Sequence, residues 1–170
     1  MTEEKKLKAG FIDEADGLLK GNGICLFSAW YNQAHAYKDL SLTIVHGSLG
    51  FGMGDTPFFE YGGKDRTVVK DFVNTLFVRN GPPTFDMHTW LEDDQGNVYD
   101  VVQSEWDMIS NWNGQQINVQ PWQAIQGMTK ADLQKVGLHY VGAPPATQIV
   151  LESMMQRLYP TEYSRNIFRL

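Results

Sequence analysis

Apolar positions recur at three- and four-residue intervals over residues 4–20, where Leu7, Phe11, Ala15, Leu18 and Leu19 lie opposite a charged face. That spacing predicts an amphipathic helix. Gly21-Asn22-Gly23 ends it, because both residue types readily take the left-handed conformations that close helices. A second apolar stretch, Ile24 to Tyr37, contains no proline or glycine and predicts a largely buried helix with Cys25 in its first turn. From Leu40 the period shortens to two. Leu42, Ile44 and His46 alternate with Thr43 and Val45 up to Gly47, which is a strand pattern. Gly50 to Gly63 is rich in glycine and is expected to be a mobile loop. Thr67 to Val78 fits a helix or a strand, with a helix followed by a strand preferred, and Gly81-Pro82-Pro83 interrupts it.

The clearest local signal is a hairpin. Met87 to Glu92 and Val98 to Val102 flank Asp93-Asp94-Gln95-Gly96-Asn97. A three-residue loop, Asp94-Gln95-Gly96, with a left-handed glycine at its end, is a common way to join two such strands. A polar, tryptophan-rich stretch with Trp106, Trp112 and Trp122 follows. Thr129-Lys130-Ala131-Asp132 reads as a helix start, Leu138 to Val141 as a short strand, and Ala146 to Leu158 as the last helix. No internal repeat or low-complexity tract is present.

Composition narrows the class. The chain has 170 residues, 42% of them apolar and 20% charged, which suits one domain over 1–170 with a sizeable core. A formal charge of −6 disfavours nucleic acid and anionic membrane as partners, since both need a basic face. With one cysteine there is no intramolecular disulfide and no cysteine-rich zinc site. Met1 to Gly10 lacks the apolar run of a secretory signal, and no stretch has the length of a membrane span. These features lead us to expect a cytoplasmic protein.

Three residues combine into a candidate chemistry. Cys25 at a helix start has free backbone N–H groups to favour its thiolate, the form that attacks carbonyls. The other reading of Cys25 is a small buried apolar residue between Ile24 and Leu26. The hairpin adds a base and its orienter. With the three-residue loop, Asp93 faces Asn97 and His88 faces Val102. Asp100 is then a diagonal neighbour of His88 on the same face. A carboxylate there would fix the imidazole's tautomer and stabilise its protonated form. A loop of two or four residues would place the two on opposite faces.

His88-Thr89-Trp90-Leu91-Glu92, a glycine-containing turn and Val98-Tyr99-Asp100 resemble the H-x-W-x-E…D signature of the transglutaminase-like superfamily. The order is similar too, with Cys25 in Gly23-Ile24-Cys25-Leu26-Phe27-Ser28-Ala29 preceding His88 and Asp100. Tyr140-Val141-Gly142-Ala143-Pro144 is similar to the Y-x-G-x-P segment of small bacterial and phage proteins of this type. The match runs over roughly residues 21–145, and the hairpin is its most specific part. The resemblance implies an α+β, papain-like fold, in which a helix carrying Cys25 packs on an antiparallel sheet carrying His88 and Asp100 as a triad. Two departures stand out: Val101 rather than proline follows Asp100, and Leu19 occupies the place six residues before Cys25 where papain-type proteases keep a glutamine. The oxyanion donors would then be the Cys25 backbone N–H and the Asn22 side chain, with Trp90 walling the His88–Asp100 pair from solvent.

Other candidates are weaker. His35, His46 and His139 lie on apolar stretches and read as satisfied packing residues. Asp86, His88 and Asp100 have no paired-histidine helix to complete a metal site, and the Asp93–Asn97 segment lacks the acids of a calcium loop. Gly47 to Gly54 has no lysine–serine or lysine–threonine ending for phosphate. The expected activity is cysteine-dependent acyl hydrolysis or transfer on a protein, peptide or small amide, without metal or cofactor. Hydrolysis is preferred because no second substrate domain is evident. A catalytically inactive binding or regulatory protein of the same fold is the alternative.

Overall fold

The computed structural model describes residues 10–61 and 87–168. Thr67 to Val78 and Gly81-Pro82-Pro83 lie outside these residues, as do the first positions of the helix expected over 4–20.

The described part of that first helix is instead a small hairpin, β1 (Phe11–Ile12) paired antiparallel with β2 (Leu19–Lys20). The charges that sequence periodicity assigns to a solvent-facing helix side have another use. Lys20 Nζ is buried between Asp13 Oδ2 at 3.0 Å and Asp16 Oδ2 at 2.9 Å. Asp13 and Asp16 also accept from the backbone N–H groups of Ala15 and Leu18, closing Asx turns that compete with a helix. Gly17, at φ +69°, completes the reversal.

The second apolar stretch is helical as expected. α1 (Cys25–Tyr31) runs directly into a π-helical segment, Asn32–Ala36. The wide turn closes with the Tyr37 N–H donating to Asn32 O at 2.7 Å. It leaves the Asn32 side chain free to reach sideways, where Oδ1 accepts from Leu19 N at 2.8 Å. Ser28 Oγ donates to Leu19 O at 2.6 Å. Hairpin and helix are therefore stitched together immediately before the loop that leads into Cys25.

The centre is an antiparallel sheet built on β3 (Thr43–Phe51), which continues four residues past the Gly47 stop that the sequence suggests. β3 pairs with β5 (His88–Glu92) over Thr43–Gly47, with β8 (Leu138–Gly142) over Gly47–Phe51, and with β4 (Phe59–Tyr61) over Leu49–Phe51. Gly50, Phe51 and Phe59–Tyr61 are therefore strand rather than loop. β5 pairs with β6 (Val98–Val101), and β6 with β7 (Ala124–Met128) through a bulge beside Val98 and Tyr99.

The pairs Leu91–Tyr99 and Glu92–Val98 give the register that the three-residue loop predicts. Gly96 takes φ +79° at the end of the turn. α2 (Glu105–Trp112) follows β6, and α3 (Lys130–Lys135) starts at Thr129, whose hydroxyl accepts from Asp132 N at 3.1 Å. α4 (Pro145–Leu158) is not the last helix, because α5 (Pro160–Phe168) follows it.

Alternation along the strands sorts the core into two layers. Val45, Leu49, Phe51 and Trp90 point to one face and pack with Trp106 and Ile109 of α2. Ile44 and Leu91 point to the other, toward the helical layer of α1, α4 and α5. Trp30 sits at the centre of that layer, fully buried and edge-on to Tyr163 with centroids 5.0 Å apart. The result is α+β, with a helix carrying Cys25 packed on an antiparallel sheet that carries His88.

A buried polar group locks α4 onto the sheet. His46 Nε2 is 2.7 Å from Glu152 Oε2, and Nδ1 is 3.0 Å from Thr89 Oγ1. Glu152 Oε1 accepts from Trp30 Nε1 at 3.0 Å. His35 and His139 also have partners, the carbonyls of Asn166 and Gly52. All three histidines are satisfied within the packing.

Candidate active site

Cys25 is the first residue of α1, preceded by a turn in which Gly23 takes φ +68°. No side chain caps this helix start, and its first turn holds no acidic residue to repel a thiolate. The loop is clamped to the segment just after β6. The Gly23 N–H donates to Gln103 Oε1 at 3.3 Å, and Asn22 Nδ2 donates to Ser104 Oγ at 2.9 Å. Two segments some eighty residues apart are thus joined, bringing the start of α1 to the end of the strand that carries Asp100.

On the hairpin, His88 Nε2 donates to Asp100 Oδ2 at 2.6 Å. The contact is the diagonal one, across neighbouring strands on a shared face. Asp100 is held from two further directions. Tyr140 Oη donates to Oδ2 at 2.8 Å, and the Val101 N–H donates to Oδ1 at 2.8 Å. Aromatic rings surround the imidazole. Trp90 stacks on it at 5.9 Å and 18° between planes, and Trp106 meets it edge-on at 5.6 Å.

Burial in this cage pushes the His88 imidazole toward its neutral form. The charge and hydrogen bond of Asp100 overcome that push, and a hydrogen-bonding contact with Cys25 adds to them, so its pKa rises to about 10. His88 is therefore an imidazolium at neutral pH. Burial, followed by the charge of Asp100, also pushes the Tyr140 phenol well above its usual value, so Tyr140 stays a donor. With Nε2 committed to Asp100, Nδ1 is the ring nitrogen left for the thiol.

Cys25 is half-buried and shares a cleft of about 360 Å³ with His88. Ile24, Leu26 and Phe27 of the α1 start and Met155 and Tyr159 at the end of α4 supply apolar walls, while Gln103 and Glu105 supply polar ones. Such a cleft suits an acyl or side-chain group of modest size presented beside the sulfur.

The structure brings Cys25, His88 and Asp100 to one place. It does not bring Asn22 into the cleft, because the Asn22 amide is engaged with Ser104 in both directions, Ser104 Oγ returning to Oδ1 at 3.1 Å. One N–H of that amide is therefore committed to Ser104. Trp90 lies behind His88 rather than along the cleft. It is almost wholly buried, with its indole N–H donating to Glu92 Oε1 at 2.9 Å. Its place is the wall of the ion pair.

Sequence reasoning missed Gln103, Met155 and Tyr159 at the cleft and the bond from Tyr140 to Asp100. Tyr140 had a signal in its Y-x-G-x-P segment. Gln103 had none beyond standing three residues after Asp100.

Among the described residues no helix is long and apolar enough to cross a membrane. No family model, no curated protein and no solved structure matches the chain.

Proposed function

We propose that the protein is a cysteine-dependent acyl hydrolase or transferase of the papain-like, transglutaminase-like type, acting on an amide, isopeptide or thioester bond of a protein, peptide or small amide. The observation that carries the reading is the His88–Asp100 hydrogen bond in the cleft that Cys25 lines. An imidazolium held by a buried carboxylate beside a thiol is the arrangement that makes sulfur nucleophilic near neutral pH.

In this reading the Cys25 thiolate attacks the substrate carbonyl carbon and an S–C bond forms. His88 gives its proton to the departing amine as the C–N bond breaks, leaving a thioester on Cys25. Water then attacks the thioester, His88 takes its proton, the C–S bond breaks, and the acid leaves with the Cys25 thiolate and His88 imidazolium restored. An amine in place of water gives transfer. Asp100 keeps the ring oriented throughout.

The test is alkylation of Cys25 by iodoacetamide across pH. A free thiol, with a pKa of ~8.5, reacts slowly at about pH 6. The wild type is expected to react roughly tenfold faster there than a cysteine peptide, and His88→Ala to remove that advantage. Equal, ordinary reactivity in both proteins would overturn the reading in favour of a non-catalytic binding protein.

A further inference from the structure

We infer that Gln103 is a catalytic residue whose side-chain Nε2 donates to the oxyanion formed when Cys25 attacks a carbonyl. This deepens the reading proposed above and rests on it.

Three observations point the same way. First, Gln103 is nearly buried, with 5% of its surface exposed, and it lines the cleft that holds Cys25 and His88. Second, its amide is oriented. Oε1 accepts from the Gly23 N–H at 3.3 Å, so Nε2 is the atom turned away from the Gly23 loop. Third, Nε2 has no hydrogen-bond partner among the described residues. The fully enclosed orphan polar atoms there are Trp106 Nε1 and Ser110 Oγ, and Nε2 is not among them.

A buried amide with one end tied and the other unspent is a costly arrangement unless something outside the protein accepts from it. The anchor sits two residues before Cys25, and Gln103 and Cys25 line the same cleft. In the reaction the S–C bond forms, the carbonyl π pair moves onto oxygen, and the Nε2–H group donates to that oxygen. Collapse restores the C=O bond and expels the leaving group. A donor already in position for charge that appears only in the transition state accelerates this step and not the binding that precedes it.

The experiment compares two probes on the same protein. p-Nitrophenyl acetate acylates Cys25 through a tetrahedral oxyanion and releases p-nitrophenolate. Iodoacetamide alkylates it by one-step displacement of iodide at a saturated carbon, with no oxyanion. Gln103→Met removes the amide. Gln103→Glu keeps an oxygen for the Gly23 N–H but has no donor, which covers the case in which the methionine variant fails to fold.

The reading is the ratio of acylation to alkylation rate within each variant, which cancels any change in how nucleophilic the sulfur is. A fall in that ratio of about 10²-fold relative to wild type is expected in both variants. An unchanged ratio would overturn the role of Gln103 while leaving the nucleophile intact. A wild type that alkylates no faster than His88→Ala would instead remove the nucleophile, and this proposal with it.

Discussion

Tyr140 donates its hydroxyl to Asp100 Oδ2 at 2.8 Å, the same oxygen that accepts from His88 Nε2. The carboxylate is therefore held from the sheet edge as well as from the hairpin. β8, which carries Tyr140, pairs with β3 and not with β6, so this bond ties two strands that share no ladder. Asp100 is fixed by three donors before any substrate arrives, and a fixed carboxylate keeps the imidazole ring from rotating.

Tyr140→Phe removes that donor with almost no change in shape. Tyr140 is nearly buried, so the lost partner is not replaced by bulk water. A hydrogen bond to a charged group is worth about 1.5–3 kcal/mol. Urea unfolding is expected to show a loss of that order with an unchanged slope, and alkylation of Cys25 at about pH 6 to slow. A variant with the wild-type midpoint would mean that Asp100 does not depend on the phenol.

His88 makes stability depend on pH. Burial alone would lower its proton affinity, but Asp100 raises its pKa to about 10 from the ordinary value of 6.5. A group that binds its proton more tightly when folded stabilises the fold fully below about pH 6.5, and loses that contribution progressively toward about pH 10. The melting temperature is expected to fall across this window. Asp100→Asn, which removes the charge that holds the proton, is expected to flatten the fall. Tyr140 is held above its usual value and titrates beyond the window. A wild-type profile flat from about 6.5 to about 10 would contradict a charged His88.

The hairpin was legible because two local rules agree. Met87 to Glu92 and Val98 to Val102 flank a turn-forming segment, and the Asp94-Gln95-Gly96 loop sets their register, so the diagonal relation of His88 to Asp100 follows from the sequence. The start of α1 was legible for a similar reason, since Gly21-Asn22-Gly23 and a long apolar stretch mark the same boundary. The segment before it was not. Asp13, Asp16 and Lys20 occupy helix-like spacings, and the ion pairs of Lys20 with both aspartates, their Asx turns and the grip of Ser28 and Asn32 on Leu19 select a hairpin.

The site divides along the same line. Cys25, His88 and Asp100 have residue types that announce chemistry. What Asn22 and Gln103 do is decided by contacts across some eighty residues, and no periodicity reports which of two neighbouring amides meets Ser104 and which faces the cleft. The Y-x-G-x-P segment was visible only as a pattern. Its physical content is the Tyr140 bond to Asp100, the pairing of Gly142 with Gly47, and Pro144 at the start of α4.

Gly47 is the point where the sheet leaves no space for a side chain. It pairs with His88 on β5 and with Gly142 on β8. A Cβ there would collide with the Val141 carbonyl oxygen, and it would lie 2.9 Å from both Gly142 Cα and Trp90 Cη2. Backbone on one side and the indole that stacks on His88 on the other cannot both yield, so Gly47→Ala has to separate β3 from β8 or push Trp90 off the imidazole. Overpacking of this kind costs about 1–3 kcal/mol. We expect a loss at the upper end, with a change in the near-ultraviolet circular dichroism of the tryptophans and slower alkylation of Cys25. Gly54→Ala is the control, because no atom stands within 4 Å of its would-be Cβ, and its effect is expected to stay within about 0.5 kcal/mol. If Gly47→Ala matched that control, the packing of Trp90 between β3 and His88 would be looser than its distances imply.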